Sequence, residues 1–302
     1  MYTEFLEYLT LVMDEKDIKT NEPMNQHTSF RVGGPAKFFL TVRSEEILSK
    51  ILIVLKDKKL PYFVLGNGSN LLVSDAGYEG VILYLGEEFA GIKVDGTKIR
   101  AGAAAFLGKV ARKALEEELS GLEFAAGIPG SLGGGIVMNA GAYGGELSQV
   151  VTKVRVMDPE GNIVTLEKEE LLLGYRTSVF KQKPYIILEV FMELQKGSKA
   201  EIQGKMEEYT KARMDKQPLE YPSAGSTFKR PEGHFAGKLI MDAGLRGYQV
   251  GGAQVSEKHC GFVINKGNAT ATQIRTLMND VAAKVKEQFG VELEAEVILL
   301  GE

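Results

Sequence analysis

The sequence predicts a mixed helix-and-strand (α+β) protein of two or three domains, and three observations lead to it. The chain has 302 residues, too many for one small core. Short β-rich apolar runs alternate with segments of helical periodicity. Two glycine-rich loops interrupt that alternation, one of them directly after a predicted strand.

Taken in order, residues 5–13 read as a short helix and residues 38–42 as a strand. A helix then starts near Ser44, where Ile47, Leu48, Ile51, Leu52 and Leu55 recur at helical spacing. Tyr62–Leu65 and residues 81–85 are apolar runs bounded by glycines and read as strands, which makes the opening stretch a small α/β unit. Residues 104–119 form a second predicted helix, and residues 163–166 and 186–194 resume strand character. Lys199–Lys216 is a polar, charged helix placed to connect two domains. After a strand at residues 262–265, Thr270 with Gln273 three residues later forms a capping-box pattern. Ile274, Leu277, Met278, Val281, Val285 and Phe289 make the buried stripe of the helix that follows, and Gly290 supplies its stop. A final strand is predicted over residues 294–300, with no internal repeat anywhere.

Composition removes several classes of function. At 44% hydrophobic and 25% charged the chain sits at the globular average, which excludes fibrous and disordered proteins. The formal charge of -4, without long single-sign blocks, leaves no basic footprint for nucleic acid. The single cysteine, Cys260, excludes a disulfide framework or thiolate cluster within the chain. His27, His234 and His259 fall in no zinc-type spacing, so no metal site is expected. No stretch approaches the roughly 18 apolar residues of a membrane span. The first residues carry Glu4 and Glu7 rather than the basic start of a secretory signal. These features point to a cytoplasmic enzyme, expected as a monomer, without membrane or nucleic-acid partners.

Chemistry enters with the glycines, of which there are 35. One cluster is Gly66-Asn67-Gly68-Ser69-Asn70. The other runs from Ala125 through Gly127, Pro129, Gly130, Ser131, Gly133 and Gly134 to Asn139, Gly141, Ala142, Tyr143 and Gly145. Side-chain-free residues let backbone N–H groups approach an anion and form a concave nest for phosphate oxygens. Two such loops within about 80 residues suit a diphosphate better than a lone phosphate; tight turns and close strand crossings are the alternative for either loop alone. Neither GxGxxG nor GxxxxGK[ST] occurs, so the Rossmann and P-loop fingerprints are absent.

Seven segments in register resemble the UDP-N-acetylenolpyruvoylglucosamine reductases. They are His27 to Gly34, Leu65 to Leu72, Gly127 to Gly134, Asn139 to Gly144, Gly174-Tyr175-Arg176, Ser223 to Pro231, and Leu293 to Val297. The resemblance implies an FAD-binding fold of the vanillyl-alcohol-oxidase (PCMH) type in two α/β subdomains, with a C-terminal α/β substrate domain. By it, residues 1–85, joined by residues 291–302, form the first FAD subdomain, residues 86–198 the second, and residues 199–290 the substrate domain with its connecting helix. The cofactor implied is non-covalent FAD, with NADPH as reductant. Its contacts fall on Arg31, Gly66, Asn67, Gly68, Ser69, Asn70, Gly127, Pro129, Gly130, Ser131, Gly133, Gly134, Asn139, Gly141, Ala142 and Tyr143. The chain after Tyr175-Arg176 is short, as in the compact class of the family that lacks a substrate-covering tyrosine loop.

The family reaction adds hydride and then a proton to an enolpyruvyl group and passes through an aci-carboxylate anion, which needs positive or hydrogen-bonding groups in place beforehand. The resemblance gives Ser226 as proton donor and Arg176 and Glu296 as the pair that stabilises the anion. Arginine's fork suits a carboxylate and keeps its charge. Glu296 either hydrogen-bonds the anion when protonated or orients Arg176 when ionised. Without the resemblance, Ser226 reads as the end of an Ala-Gly-Ser turn, Arg176 as a surface ion pair and Glu296 as a solvated strand edge. Substrate contacts are expected at Tyr175, Lys216, Lys229, Arg230 and His259. Adjacent residues on a strand face opposite ways, so Cys260 beside His259 reads as a buried structural thiol.

Overall fold

The structure, a computed structural model, describes residues 2–301. Backbone contacts divide the chain into two compact units. The first holds Met1–Thr20, Phe38–Gly66 and Gly80–Lys211, and the second Asn21–Lys37, Asn67–Glu79 and Ala212–Glu302. Each has its own buried apolar cluster.

In the first unit, helix Tyr2–Val12 buries Phe5 and Leu9, with the Phe5 ring set edge-on to Phe38 at 5.3 Å. Helix Glu45–Asp57 begins where the sequence places it, because the Ser44 hydroxyl accepts the Ile47 N–H at 3.2 Å. Leu48, Ile51, Leu52 and Leu55 form its buried face. The predicted strand Tyr62–Leu65 runs parallel to the 81–84 segment of strand Tyr78–Leu85. These strands join Pro35–Val42 and Ile18–Pro23 in a four-stranded sheet. The predicted helix over residues 104–119 is shorter, Leu107–Glu116. Its expected first turn is taken up elsewhere, since Ala103 N–H donates to Leu188 C=O and Ala104 N–H to Phe89 C=O.

The second sheet of this unit is five-stranded and antiparallel, in the order Ile163–Glu167, Val151–Met157, Ile186–Glu193, Lys98–Gly102, Ile92–Asp95. Sequence patterning finds the first and third strands only. Val151–Met157 buries Val151, Val154 and Val156, but irregular register at two points breaks its strict period of two. The hairpin Ile92–Asp95/Lys98–Gly102 turns through the two-residue loop Gly96-Thr97, with glycine at the first position, where φ is +60°.

The second unit packs around helix Ala271–Phe289. The capping box of Thr270 and Gln273 is present, and Gly290 ends the helix at φ +69°. Asp75 adds a second cap: its carboxylate accepts the N–H groups of Ala271 at 2.7 Å and Thr272 at 2.8 Å. Partial burial pushes the Asp75 pKa up, but the bonds from Thr272 and Ala271 outweigh it and leave the net value below the usual range. Ile274, Leu277, Val281 and Val285 of the helix meet Phe30, Leu72, Ile240, Val255 and Val297 in the core. Strands Gln249–Val250, Ala253–Val255 and Val263–Asn265 form a small antiparallel sheet.

The last strand is Ile298–Leu300, parallel to Leu71–Val73, rather than the longer stretch from residue 294. Residues 294–296 instead face the 227–229 segment, where Lys229 N–H donates to Glu294 C=O at 2.8 Å and Glu296 N–H to Thr227 C=O at 2.9 Å. The apolar-polar pattern continues across both stretches, but its hydrogen-bond partner changes.

Candidate active site

The first glycine loop follows strand Tyr62–Leu65, and its fold explains each glycine. Gly68 has φ +59°, and a Cβ there would overlap the His27 carbonyl. At Gly66 a Cβ would overlap the hydroxyl of Ser131, so this position approaches the second glycine-rich run within the first unit. Among the described residues, the backbone N–H groups of Asn67, Gly68 and Ser69 have no acceptor. The Nδ2 of Asn67 and the Oδ1 of Asn70 are buried without a hydrogen-bond partner. Buried polar groups are normally satisfied, so the N–H groups suit an anion and the two amide atoms a ligand that both accepts and donates hydrogen bonds.

The second run is more divided. Sequence reads it as loop, yet Leu132–Val137 is a short helix capped by Ser131, whose hydroxyl accepts the Gly134 N–H at 3.2 Å. Gly133 and Gly135 are buried packing glycines: a Cβ would press on Ala103 and Leu107 respectively. Gly133 spends its N–H on Ala103 C=O at 2.9 Å. Gly134 and Pro129 are exposed, with Gly127 and Gly130 half-buried. Beyond the helix, Gly141 and Ala142 pair with Gly145 and Glu146 in a tight hairpin tipped by Tyr143 and Gly144. Tyr143 is 44% exposed, and its ring lies against Tyr209.

Four of the expected site residues share an uncommon backbone. Arg31, Asn139, Tyr143 and Arg176 have φ of +56°, +43°, +53° and +53°, and they are four of nine such non-glycine positions among the described residues. Left-handed conformation costs about 1–2 kcal/mol for a side chain with a Cβ. Such strain gathers at functional sites, where surrounding contacts enforce it.

Arg176 shows how. Gly174 and Thr177 exchange backbone hydrogen bonds at 3.1 and 3.2 Å around a two-residue turn. Arg176 takes the position of positive φ that such turns usually reserve for glycine or asparagine. Its Nη2 reaches the Gly141 carbonyl at 3.4 Å, and its guanidinium lies 5.3 Å from the centre of the exposed Tyr175 ring. The turn is held from behind by Ser178, whose buried hydroxyl donates to Val137 C=O at 2.8 Å.

In the second unit, Ser226 is exposed and precedes Thr227, a buried residue fixed from three sides. Thr227 N–H donates to Gly261 C=O at 2.8 Å, its hydroxyl accepts the Val263 N–H at 2.9 Å, and its carbonyl accepts the Glu296 N–H at 2.9 Å. Ser226 and Glu296 are thus carried on paired segments. Asn70 joins them, with its amide donating to the Glu296 carbonyl at 3.0 Å. The alternating neighbour Glu294 is engaged elsewhere, in an ion pair with Lys229.

Arg230 stacks its guanidinium 3.9 Å from the Phe235 ring centre. Lys216 is exposed at the C-terminal end of its helix. His259 is half-buried; its Nδ1 accepts the Gly261 N–H at 3.1 Å and its ring meets Phe262 edge-on at 5.0 Å. Burial holds its pKa below the ordinary histidine value. Cys260 is buried, and burial pushes its thiol up, consistent with a structural role. Ser226, Glu296, Lys216, Lys229, Arg230 and His259 lie in the second unit, whereas Tyr175 and Arg176 lie in the first.

Two residues of this region escape sequence reasoning. Tyr209 sits on a helix that reads as a polar connector, and the only hint was a ring among charged residues. Thr227 is masked by the more conspicuous serine beside it.

Comparison with known proteins bears directly on these loops. Residues 36–167 match the family model of an FAD binding domain, and residues 217–300 that of the UDP-N-acetylenolpyruvoylglucosamine reductase C-terminal domain. A UDP-N-acetylenolpyruvoylglucosamine reductase of Lachnoclostridium phytofermentans is 51% identical over 100% of this chain and 99% of its own. The chain belongs to this family. A second member, from Caldanaerobacter subterraneus subsp. tengcongensis, is 50% identical over 96% of each chain. The crystal structure of the Thermus caldophilus UDP-N-acetylenolpyruvylglucosamine reductase matches with a TM-score of 0.80 and 36% identity, over 92% of this chain and 97% of that one. Phl p 4.0202, a glucose dehydrogenase, matches over 65% of this chain at 13% identity and a TM-score of 0.51, and shares the fold alone.

The architecture is therefore the family's: an FAD-binding domain of the vanillyl-alcohol-oxidase type with the reductase C-terminal domain, an FAD-dependent oxidoreductase. The unpartnered Asn67 Nδ2 and Asn70 Oδ1 and the open N–H groups of the same loop fit that cofactor. Among the described residues, no group of three or more His, Cys, Asp or Glu is arranged to hold a metal, and no helix is long and apolar enough to cross a membrane.

Proposed function

We propose that this chain reduces the enolpyruvyl group of UDP-N-acetylglucosamine-enolpyruvate to UDP-N-acetylmuramate, with NADPH as reductant. The setting is the cytoplasmic synthesis of peptidoglycan precursors, by a monomer that needs neither membrane nor nucleic acid. Bound FAD supplies the hydride relay between reductant and substrate. The chain supplies the rest. Asn67 to Asn70, Arg31 and the run from Gly127 to Tyr143, in which Asn139 offers its main chain only, hold the cofactor. The Arg176 guanidinium takes the negative charge that grows on the substrate carboxylate, where a fixed cation helps most. The Ser226 hydroxyl gives its proton to the neighbouring carbon. Glu296 supports the same anion. Tyr175, Lys216, Lys229, Arg230 and His259 serve the UDP-sugar. Residues 1–85 with 291–302 and residues 86–198 act as the two FAD subdomains, and residues 199–290 as the substrate domain.

The observation that carries this assignment is the pairing of the Ser226-Thr227 and Glu296 segments through the 2.9 Å bond from Glu296 N–H to Thr227 C=O. It carries an exposed alcohol and Glu296 on paired segments, which supports the reading that the two act on one substrate, while Lys229 pairs with the alternating Glu294. Stopped-flow measurement of both half-reactions tests it. Ser226→Ala is expected to slow reoxidation of the reduced flavin by the enolpyruvyl substrate by about 10²–10⁴-fold, with reduction by NADPH unchanged. Unchanged reoxidation removes Ser226 from this role, and protein that binds no FAD removes the whole assignment.

A further inference from the structure

Asn139 stands within the glycine-rich run expected to contact the cofactor, yet its side chain turns the other way. It is 1% exposed. Its Oδ1 accepts the Ser148 N–H at 2.9 Å, and its Nδ2 donates to the Gly174 carbonyl at 3.2 Å. Both ends of the amide are thus spent on protein backbone. One bond ties it to the segment that follows the Gly141–Glu146 hairpin. The other ties it to the turn Gly174-Tyr175-Arg176-Thr177.

That second bond matters because of what the turn carries. Arg176 occupies a left-handed position at φ +53°, where an arginine gains nothing from the backbone and must be held by its surroundings. Three holding contacts come from one place. Asn139 grips Gly174, Ser178 grips Val137 from just beyond the turn, and the Arg176 side chain itself reaches Gly141. All three partners lie within five residues of one another on the glycine-rich run. Asparagine is also the residue that best tolerates Asn139's own φ of +43° while offering a donor and an acceptor together.

We propose that Asn139 is a positioning residue for Arg176: it fixes the turn that aims the guanidinium and makes no side-chain contact with the flavin. The proposal rests on the role given above to Arg176, and the experiment separates the two. Asn139→Asp keeps the acceptor for Ser148 but places a carboxylate oxygen against the Gly174 carbonyl. Asn139→Gly keeps the left-handed backbone and removes both bonds. A guanidinium displaced by about 1 Å loses on the order of 10²-fold in rate. Each variant, loaded with FAD, is therefore expected to slow reoxidation by the enolpyruvyl substrate about 10–100-fold, with flavin affinity and reduction by NADPH within about twofold of the parent. On an Arg176→Ala background, Asn139→Asp is expected to add less than about twofold, since two residues acting through one group are not additive.

Loss of flavin affinity together with both half-reactions would make Asn139 a cofactor ligand and overturn the proposal. A lower thermal midpoint with both half-reactions intact would reduce it to a structural residue and overturn the proposal equally. If Asn139→Asp does not fold, Asn139→Gly and Ser178→Ala make the same test from the two sides of the turn. If Arg176→Ala alone leaves reoxidation unchanged, the role of Arg176 itself has failed, and that single variant shows it without reference to Asn139.

Discussion

The ring of Tyr209 lies flat on the ring of Tyr143, with centroids 4.5 Å apart and planes 3° from parallel. One ring belongs to the polar helix Lys199–Lys216 and the other to the tip of the glycine-rich hairpin, so the stack fastens a strained, half-exposed loop residue to a regular element. Aromatic pairs contribute about 0.5–1.5 kcal/mol beyond their buried area. Tyr209→Ala is expected to lower the thermal midpoint by about 2–4 °C, and Tyr209→Phe to leave it in place. A midpoint that Tyr209→Ala does not move would show that the rings touch without holding the loop.

Gly68 and Gly96 have nearly the same backbone, φ +59° and +60°, but different surroundings. A Cβ at Gly68 meets the His27 carbonyl, whereas at Gly96 nothing lies within 4 Å. Gly96→Ala is expected to cost only the left-handed penalty, about 1–2 kcal/mol in a denaturant titration. Gly68→Ala must also displace the 27–29 backbone, so it is expected to abolish FAD retention through size-exclusion chromatography. Equal effects of the two changes would mean that backbone conformation alone dictates both glycines.

Thr227 holds the segment behind Ser226 through a buried hydroxyl that accepts the Val263 N–H. Thr227→Val keeps the shape and orphans that N–H, at a cost of about 1–3 kcal/mol. A fall in the urea midpoint of matching size is the expected result, accompanied by slower reoxidation of the flavin, since Ser226 and Glu296 both hang on this residue. Stability within about 0.5 kcal/mol of the parent would show that the bond contributes little.

His259 gives the pH dependence. Burial depresses its folded-state pKa, so the unfolded chain takes up this proton near pH 6.5 and the folded chain only at lower pH. The unfolded state therefore binds more protons below about pH 6.5, and stability falls as the pH drops through that window. Above it, both states carry a neutral ring and the residue adds no slope. His259→Gln is expected to flatten the decline in urea stability between about pH 7 and 5 relative to the parent. Identical slopes in the two proteins would place the titration elsewhere.

Much of this was legible in the chain. The Ser44 and Thr270 caps, the Gly290 stop and the apolar stripe of helix Ala271–Phe289 fix local structure through contacts within a few residues, which a sequence displays directly. The family was legible too, as seven motifs in register. Less was visible where partners are remote. Strand Val151–Met157 hides behind its irregular register, and Leu132–Val137 is a Ser131-capped helix despite three glycines, two of which lie where Ala103 and Leu107 leave no room for a side chain.

By itself the sequence determined the family and the cofactor and named the side chains proposed to react, because these depend on residue type and order. Only the tertiary structure decided where those side chains are held: Asn139 turned into the protein to grip Gly174, Glu294 engaged by Lys229 beside Glu296, and Tyr209 laid on Tyr143. Each of these is a contact between residues 35 to 66 positions apart. Such contacts are set by how elements pack together, and no local pattern of residues encodes them.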